Sequence, residues 1–227
     1  MQLADAKLAT TLFLIATIKE LISHRSHIFI MLYPHLTSKR IILASKSPRR
    51  LELVRGLELE PVVIIRDVDE SYPSDIKGSQ VAEYVTRAKA EAYRDLIEVD
   101  DILITGDTVV LIDDEILEKP ANKQEAISML KRLSGRTHVV ASGIAISTLE
   151  NGDLQTLCEV DTCEVHFEEL TDKMIHHYID KYKPLDKAGS YGVQDLIGYV
   201  GVKSINGSFY TVMGLPIHIL HRMLVKA

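Results

Sequence analysis

The chain has little of what marks the specialised classes of protein. Its 227 residues include no tryptophan, 2 cysteines, 12 glycines and 7 prolines. With 46% hydrophobic and 26% charged residues, this composition excludes disordered, collagen-like and low-complexity chains and is typical of a globular protein. A chain of this length forms one large domain or two small ones. We find no internal repeat and no flexible linker, which favours one domain.

Basic residues are fewer than acidic ones. Lysine and arginine number 26 and aspartate and glutamate 32, so the net charge is −6. This balance disfavours broad binding to nucleic acids or to anionic membranes, and we expect neither as a partner. An anionic ligand would therefore need a local basic pocket.

The cysteines and paired histidines give no sign of a disulfide or a metal site. Cys158 and Cys163 are five residues apart on a predicted strand, so their side chains point to opposite faces and a bridge is geometrically poor. Reduced thiols are typical of cytoplasmic proteins, which is where we expect this one. His176 and His177 are adjacent on a predicted helix and diverge, which favours surface positions over metal binding.

Residues 1–38 stand apart from the rest of the chain. Their apolar runs, 10–18 and 28–32, are shorter than the roughly 20 residues of a membrane span. They also lack the layout of a secretory signal, so we expect no export. We interpret 1–38 as an N-terminal extension, either an amphipathic appendage or the result of an upstream start codon with Met31 as the alternative start. The functional domain is expected at 39–227.

From Lys39 onward, strand and helix periodicities alternate, which predicts an α/β or α+β domain with a mixed sheet. The predicted helices are 47–56, 79–96, 122–135, 171–183 and 215–225. The predicted strands are 41–44, 62–65, 102–105, 109–112, 116–118, 137–148, 156–168 and about 199–205. The two longest strands, joined through Asn151-Gly152, are expected to form the spine of the sheet.

A basic helix start is the first of several features suited to phosphate chemistry. Ser47 is predicted to cap a helix with Pro48 at its first position. Arg49 and Arg50 follow in the first turn, where the helix dipole disfavours cations unless an anion is bound. Two solvent-exposed arginines on a frayed turn remain the alternative.

Acidic side chains follow two predicted strands. Asp69 and Glu70 come after the strand 62–65, and Asp107 stands at the predicted end of 102–105. Carboxylates in such positions suit Mg²⁺, which combines one or two of them with phosphate oxygens and water. Ordinary turn formation is the alternative. Lys119, held extended by Pro120, would bring a cation near Asp107.

The loop from Asp186 to Gln194 is the remaining feature. Its small residues permit close approach of the backbone to a ligand, and the Gln194 amide can recognise a base edge. The common alternatives, a Walker motif, a dinucleotide glycine fingerprint, a nucleophile elbow and a His-Glu-x-x-His helix, have no match in the sequence.

Eight motifs occur in a fixed order between about Arg40 and the C-terminus. They are Ala44 to Arg50, Asp69-Glu70, Arg87 to Ala90, Gly106 to Val110, Leu117 to Pro120, Leu133 to His138, Asp186 to Gln194 and Val212 to Pro216. In this order they resemble the Maf family of nucleotide pyrophosphatases. Gly192-Val193-Gln194 is similar to the branch that acts on dTTP and UTP.

The resemblance implies hydrolysis of a nucleoside triphosphate between its α and β phosphates, with Mg²⁺ or Mn²⁺ as cofactor. The implied fold is a mixed, curved sheet flanked by helices, two-lobed with a cleft and similar to the inosine triphosphate pyrophosphatases. Asp107 would be catalytic; Ser45, Arg49, Arg50, Lys89, Lys119, Lys187 and Gln194 would bind substrate; Asp69, Glu70 and Asp107 would hold metal. Gln194 would read the base.

Two other functions are weighed beside this one. A nucleotide-binding regulator of septum formation or cell division would bind without turnover, but such a protein has little use for the Asp107 carboxylate beside a triphosphate. A nucleic-acid binder is disfavoured by the charge and by the absence of a basic stripe with interleaved aromatics. The oligomeric state, including a homodimer, is left open.

Overall fold

Seven strands form one mixed sheet in the computed structural model of the protein, which describes residues 31–227. The strands are β1 (Arg40–Leu43), β2 (Val62–Val63), β3 (Asp101–Ile112), β4 (Glu115–Leu117), β5 (Thr137–Glu150), β6 (Asp153–Phe167) and β7 (Val202–Asn206). The helices are α1 (Pro48–Arg55), α2 (Gln80–Ala92), α3 (Lys123–Leu133), α4 (Asp172–Tyr182), α5 (Leu196–Gly201), α6 (Phe209–Met213) and α7 (Ile217–Leu224). The predicted mixed α/β class is confirmed.

The sheet order leaves part of one strand edge uncovered. The order is β2-β1-β3-β5-β6-β7, and β4 also pairs with β3. On the edge of β3 away from β5, β1 pairs in parallel with residues 101–104 and β4 pairs antiparallel with residues 110–112. Between them, no strand of the described chain covers residues 105–109 on that edge. This gap positions the site described below.

Helices cover both faces of the sheet. On one face α2 packs Val81 and Val85 against Val109 of β3 and Ala141 of β5. On the other face α1 and α7 pack against β1, β3 and β5 around side chains such as Ile104. A further core cluster joins α3 and α4 to the far ends of β5 and β6.

Gly143 of β5 brings α2 unusually close to the sheet. A Cβ atom at this position would lie 2.5 Å from both the carbonyl oxygen of Ala82 and Oγ1 of Thr86. Any side chain would therefore push the helix away. Thr105 of β3 donates a hydrogen bond to the Thr86 carbonyl at 3.1 Å, which ties the same helix to the next strand.

Local capping and turn signals predicted several elements correctly. The Ser47 side chain accepts a hydrogen bond from the N–H of Arg50 and opens α1, with Pro48 at the first position. Asn151 and Gly152 both have positive φ and join β5 to β6, which pair over 14 residues. The two strands form the predicted spine.

Other predicted boundaries are wrong. Residues 102–105 and 109–112 belong to one continuous strand, so Asp107 lies within β3 and not at a turn. The strand predicted at 62–65 has two residues, and the helix predicted to reach Leu96 ends at Ala92 before a separate 3₁₀ turn. Residues 196–201 are helical before β7, and the predicted final helix begins only at Ile217, after α6.

Residues just before Lys39 pack against the C-terminal helix. Tyr33 and Leu36 are buried in the core cluster of α1 and α7. The Tyr33 hydroxyl lies 2.7 Å from Nδ1 of His221, and Nε2 of His35 lies 2.7 Å from the Leu224 carbonyl oxygen. Residues 1–30 of the predicted extension lie outside the described part of the chain.

The remaining composition-based expectations concern thiols, histidines and membranes. Cys158 and Cys163 are free thiols, and burial raises the pKa of each to about 11. His176 and His177 are exposed on α4. Between residues 31 and 227, no helix combines the length and the apolar character of a membrane span.

Candidate active site

A cavity of about 390 Å³ opens at the uncovered edge of β3. Its wall combines the start of α1, the loop between β2 and α2, part of β3, the segment after β4, the loop before α5 and the end of α6. Nine of the ten predicted site residues line it: Ser45, Arg49, Arg50, Glu70, Lys89, Asp107, Lys119, Lys187 and Gln194. Asp69 does not; it is exposed, and its carboxylate accepts a hydrogen bond from the Ser71 N–H at 2.9 Å.

The wall of the cavity is positively charged although the chain is acidic. Seven lysines and arginines line it against four carboxylates, an excess of three positive charges. The whole chain carries −6. The cavity is therefore a local basic pocket of the kind that an anionic ligand requires.

The start of α1 supplies two arginines with different partners. Arg49 forms an ion pair at 3.1 Å with Asp186, which belongs to the loop before α5. Arg50 turns inward, where its Nε donates to the Gly214 carbonyl at 2.8 Å and its Nη2 donates to Oγ1 of Thr108 at 3.1 Å. Ser45 Oγ accepts a hydrogen bond from the Ser47 N–H at 3.1 Å, which shapes the entry to the helix.

Arg50 differs from every other cation in the cavity wall. Among the residues that the structure describes, each of the other six basic side chains has a carboxylate partner within 4 Å, and Arg50 has none. Burial lowers the pKa of Arg50, although a guanidinium keeps its charge in proteins. A partly buried, permanent charge that has no ion pair and faces a cavity favours an anionic ligand.

Two carboxylates converge on one lysine at the opposite side of β3. The Lys89 ammonium lies 2.7 Å from Asp107 and 2.9 Å from Glu70, and Lys119 lies 3.2 Å from the second oxygen of Glu70. We call Glu70, Lys89, Asp107 and Lys119 the carboxylate–lysine cluster. The side chains of Lys89 and Asp107 are only 11% and 13% exposed, so their charges interact in a poorly solvated place.

The ion pairs of this cluster outweigh the effect of burial on Glu70. Partial burial raises the pKa of Glu70, but hydrogen bonds and charges from Lys89 and Lys119 lower it more, so the pKa lies below its ordinary value of 4.5. Tyr72 holds the same loop by donating to Glu118 at 3.1 Å. Glu70 is thus a carboxylate at neutral pH.

The loop before α5 is fixed by a tyrosine from α4. Tyr178 donates its hydroxyl proton to Asp195 at 2.9 Å and accepts from the Gly192 N–H at 3.0 Å. The Lys187 ammonium lies 2.8 Å from Asp186 and 3.9 Å from Asp195. In the same loop, Oε1 of Gln194 is buried and has no hydrogen-bond partner in the described chain.

Part of the cavity wall is apolar. It consists of Val110, Val140, Ala188, Tyr191, Val212 and Met213, which belong to or pack against the core cluster of α3 and α4. Tyr191 is held from behind by His138, whose Nε2 lies 2.7 Å from the tyrosine oxygen. Burial lowers the pKa of His138 to about 4, so its ring is neutral at pH 7.

The donor set fits a divalent ion only in combination with a ligand. No group of three or more histidine, cysteine or acidic side chains between residues 31 and 227 is arranged to hold a metal. Glu70 and Asp107 nevertheless approach one cationic group from two sides. Two such carboxylates match the one or two that Mg²⁺ uses when phosphate oxygens and water complete its coordination shell.

Some polar residues of the cavity wall are not among those predicted from the sequence. Thr108, Arg66 and Tyr93 are examples. All three line the cavity. The alternation of side chains along a continuous β3 would have placed Thr108 on the face opposite Asp107.

Comparison with known proteins identifies the family of the chain. The Maf family, described as Maf-like protein, matches residues 40–227. A dTTP/UTP pyrophosphatase of Bacteroides thetaiotaomicron is 48% identical over 193 residues, covering 85% of this chain and 98% of the relative. A dTTP/UTP pyrophosphatase of Parabacteroides distasonis is 46% identical over 191 residues, covering 84% and 97%.

Among solved structures, the Staphylococcus aureus Ham1 protein matches 57% of this chain and 72% of its own, with a TM-score of 0.37 and 16% identity. The family match spans most of the chain, and both relatives exceed 40% identity over nearly their full lengths. The chain therefore belongs to the Maf family of Maf-like proteins.

Proposed function

We propose that this protein hydrolyses dTTP and UTP to the nucleoside monophosphate and pyrophosphate. The observation that carries the proposal is Arg50, the partly buried cation of the cavity wall without an ion pair in the described chain. The relatives named as dTTP/UTP pyrophosphatases support the substrate class. The excess of positive charge in the wall supports a ligand with several negative charges.

The phosphate chain would lie along the charged part of the wall. Arg49 and Arg50 at the start of α1 would bind phosphate oxygens together with Ser45, since guanidinium groups and a helix start both favour such anions. Lys89, Lys119 and Lys187 would add charge against the oxygens on which negative charge develops. Their present carboxylate partners keep them in place before the substrate arrives.

Asp107 is the proposed general base. Its carboxylate would take a proton from a water molecule as the water oxygen attacks the α phosphorus and the bond to pyrophosphate breaks. Lys89, at 2.7 Å, orients this carboxylate. Because Asp107 lies within β3, the strand backbone fixes its position.

Glu70 and Asp107 would hold Mg²⁺ or Mn²⁺ beside the phosphates, and Asp69 would lie further out on the same loop. A bound divalent ion supplies charge that stabilises the phosphate oxygens of the transition state. For the ion to bind, the Lys89 ammonium would give up one carboxylate and turn towards phosphate.

Gln194 is the proposed reader of the base. Its buried Oε1 has no partner in the described chain, so a donor from the ligand would satisfy it. Uracil and thymine present both a carbonyl and an N–H on one edge, which an amide can pair. The apolar wall beside Tyr191 would contact the ring.

A pyrophosphate-release screen tests the proposal. Purified full-length protein is assayed with dTTP, UTP, CTP, ATP, GTP and 7-methyl-GTP, each with Mg²⁺ and with Mn²⁺. We expect the highest kcat/KM for dTTP and UTP. A preference for a purine triphosphate would contradict the substrate assignment, and binding without release would favour a regulator over an enzyme.

The same screen on Gln194→Glu tests base recognition, since a carboxylate cannot donate a hydrogen bond. We expect the preference for dTTP over ATP to fall about tenfold, the equivalent of about 1.4 kcal/mol. If turnover of all substrates falls equally, Gln194 holds the loop together and does not read the base.

A further inference from the structure

A row of hydrogen-bonded polar groups runs from Arg50 into the interior. Thr108 of β3 and Ser142 of β5 are directly opposite each other, and their hydroxyl oxygens lie 2.9 Å apart. Ser142 donates to the carbonyl oxygen of Thr211 in α6 at 2.8 Å. We call Arg50, Thr108, Ser142 and the carbonyl groups of Thr211 and Gly214 the arginine–hydroxyl network.

The direction of each hydrogen bond in the network follows from its acceptors. The single hydroxyl proton of Ser142 goes to the Thr211 carbonyl, which can only accept. Ser142 Oγ must then accept from Thr108, and Thr108 Oγ1 accepts from Arg50. The alternative, in which Thr108 donates to the Gly214 carbonyl, uses a longer contact of 3.3 Å to an oxygen that already accepts from Arg50.

Ser142 is buried and does not line the cavity. It can affect a ligand only through Thr108 and the end of α6. Gly214 allows this close assembly, because it has φ +107 and a Cβ atom there would lie 3.2 Å from Thr108 Oγ1. The uncharged carbonyl and hydroxyl acceptors fix the position of the Arg50 guanidinium by hydrogen bonds. They do not neutralise its positive charge, which can therefore interact with an anionic ligand.

We infer that Ser142 is a positioning residue for substrate binding, which acts through Thr108 to orient Arg50 towards the phosphates. The inference rests on the proposed function for its substrate. Without the Ser142 hydroxyl, the Thr108 hydroxyl turns to donate to the Gly214 carbonyl. The Thr108 oxygen then no longer holds the guanidinium of Arg50 in one orientation. Misplacing a binding group by a fraction of an ångström weakens both binding and turnover.

Ser147 provides a matched control on the same strand. It is as buried as Ser142, and its hydroxyl also bonds across the sheet, to Oγ1 of Thr156 at 2.9 Å, but neither Ser147 nor Thr156 lines the cavity. Ser142→Ala and Ser147→Ala therefore remove the same chemical group from similar surroundings. Melting temperature reports the structural cost of each, and we expect similar losses.

Two functional readouts separate the variants. They are kcat/KM for pyrophosphate release from dTTP and the Kd of α,β-methylene-dTTP, which cannot be cleaved between the α and β phosphates. We expect Ser142→Ala to weaken both about tenfold and Ser147→Ala to change neither by more than about twofold. In an Arg50→Ala background, Ser142→Ala should weaken analogue binding no further, because the group it orients is gone.

Thr108 offers a second test if Ser142→Ala does not fold. Thr108→Ser keeps the hydroxyl and should bind the analogue nearly as tightly as the unaltered protein, while Thr108→Val keeps the shape and should bind about tenfold more weakly. Equal effects of Ser142→Ala and Ser147→Ala, or an undiminished effect without Arg50, would overturn the inference. If the unaltered protein binds the analogue but releases no pyrophosphate, the proposed function fails, and the binding comparison still decides the role of Ser142.

Discussion

Asp107 and Thr108 are neighbours on β3, yet they belong to two different kinds of site. Asp107 points to the face of α2, where the carboxylate–lysine cluster is held by ion pairs. Thr108 points to the face of α6, where the arginine–hydroxyl network is held by hydroxyl and carbonyl groups. The uncovered edge of the strand lets both faces open into one cavity.

The two arrangements differ in what they leave available. In the cluster, opposite charges satisfy each other, so its members are ready to exchange partners when phosphate, water or a cation arrives. In the network, neutral acceptors fix Arg50 without neutralising it. Exchangeable partners suit a chemical step, and a fixed cation that keeps its charge suits the binding of an anion.

Removing the charge of Asp107 should have the largest effect on turnover. Asp107→Asn keeps the shape of the side chain but loses the base, so we expect kcat to fall at least about a hundredfold. Binding of α,β-methylene-dTTP should stay within about tenfold, or about 1.4 kcal/mol. The two quantities are measured by pyrophosphate release and by calorimetry.

Glu118→Gln is a suitable control for this variant, because Glu118 is a nearby carboxylate that contacts Tyr72. It should retain most of the activity. Near-normal turnover in Asp107→Asn would show that the base is another group.

On the other face, Arg50 and its neighbour Arg49 form a natural pair of variants. Arg50→Ala removes the charge without an ion pair, and we expect kcat/KM to fall roughly thirtyfold, or about 2 kcal/mol. Arg49 already shares its charge with Asp186, so Arg49→Ala should cost roughly fivefold, or about 1 kcal/mol. Steady-state kinetics with dTTP and melting temperature measure both.

An equal loss in the two variants would contradict the distinction between paired and unpaired arginines. A collapse of melting temperature in Arg49→Ala would make that residue a structural ion-pair partner. Arg50→Ala also removes the guanidinium that donates to Gly214 and Thr108, so some loss of stability is expected there.

Local signals explain why so much of the site could be predicted from the sequence. Ser47, Pro48 and the arginines lie within one helix turn, and the loop ending at Gln194 carries its own small residues. Local signals gave a wrong prediction at Gly106, because a glycine judged only by its sequence neighbours suggests a turn. Pairing of β3 with β5 over nine residues overrides that preference.

Ser142 illustrates what local signals do not contain. Nothing near it in the sequence distinguishes it from Ser147 on the same strand. Its role depends on the register that sets it opposite Thr108 and on α6, which begins 67 residues later at Phe209. Such contacts follow from the sheet order and cannot be obtained from periodicity.

Mild acid should destabilise the folded protein through His138, on the face of the sheet that α6 covers, and not through the carboxylate–lysine cluster. His138 lies on β5 on the same face as Ser142, and its folded-state pKa of about 4 is below the ordinary 6.5. Between these values the unfolded chain binds a proton that the folded chain does not, so stability falls as pH falls from 6.5 to 4. From pH 7 to pH 5 the expected loss in free energy of unfolding is about 2 kcal/mol, measured by urea denaturation.

The carboxylate–lysine cluster loses its stabilising effect in a lower pH range. Glu70 has a lowered pKa, so its stabilising ion pairs are fully present above 4.5 and are lost only as pH falls through the lower folded-state value. Glu70→Gln should therefore keep the loss between pH 7 and pH 5, as should His176→Gln on the exposed face of α4. His138→Gln should remove most of that loss, because an amide beside Tyr191 does not titrate. If the loss persists in His138→Gln and disappears in Glu70→Gln, the cluster is the acid-sensitive part of the molecule.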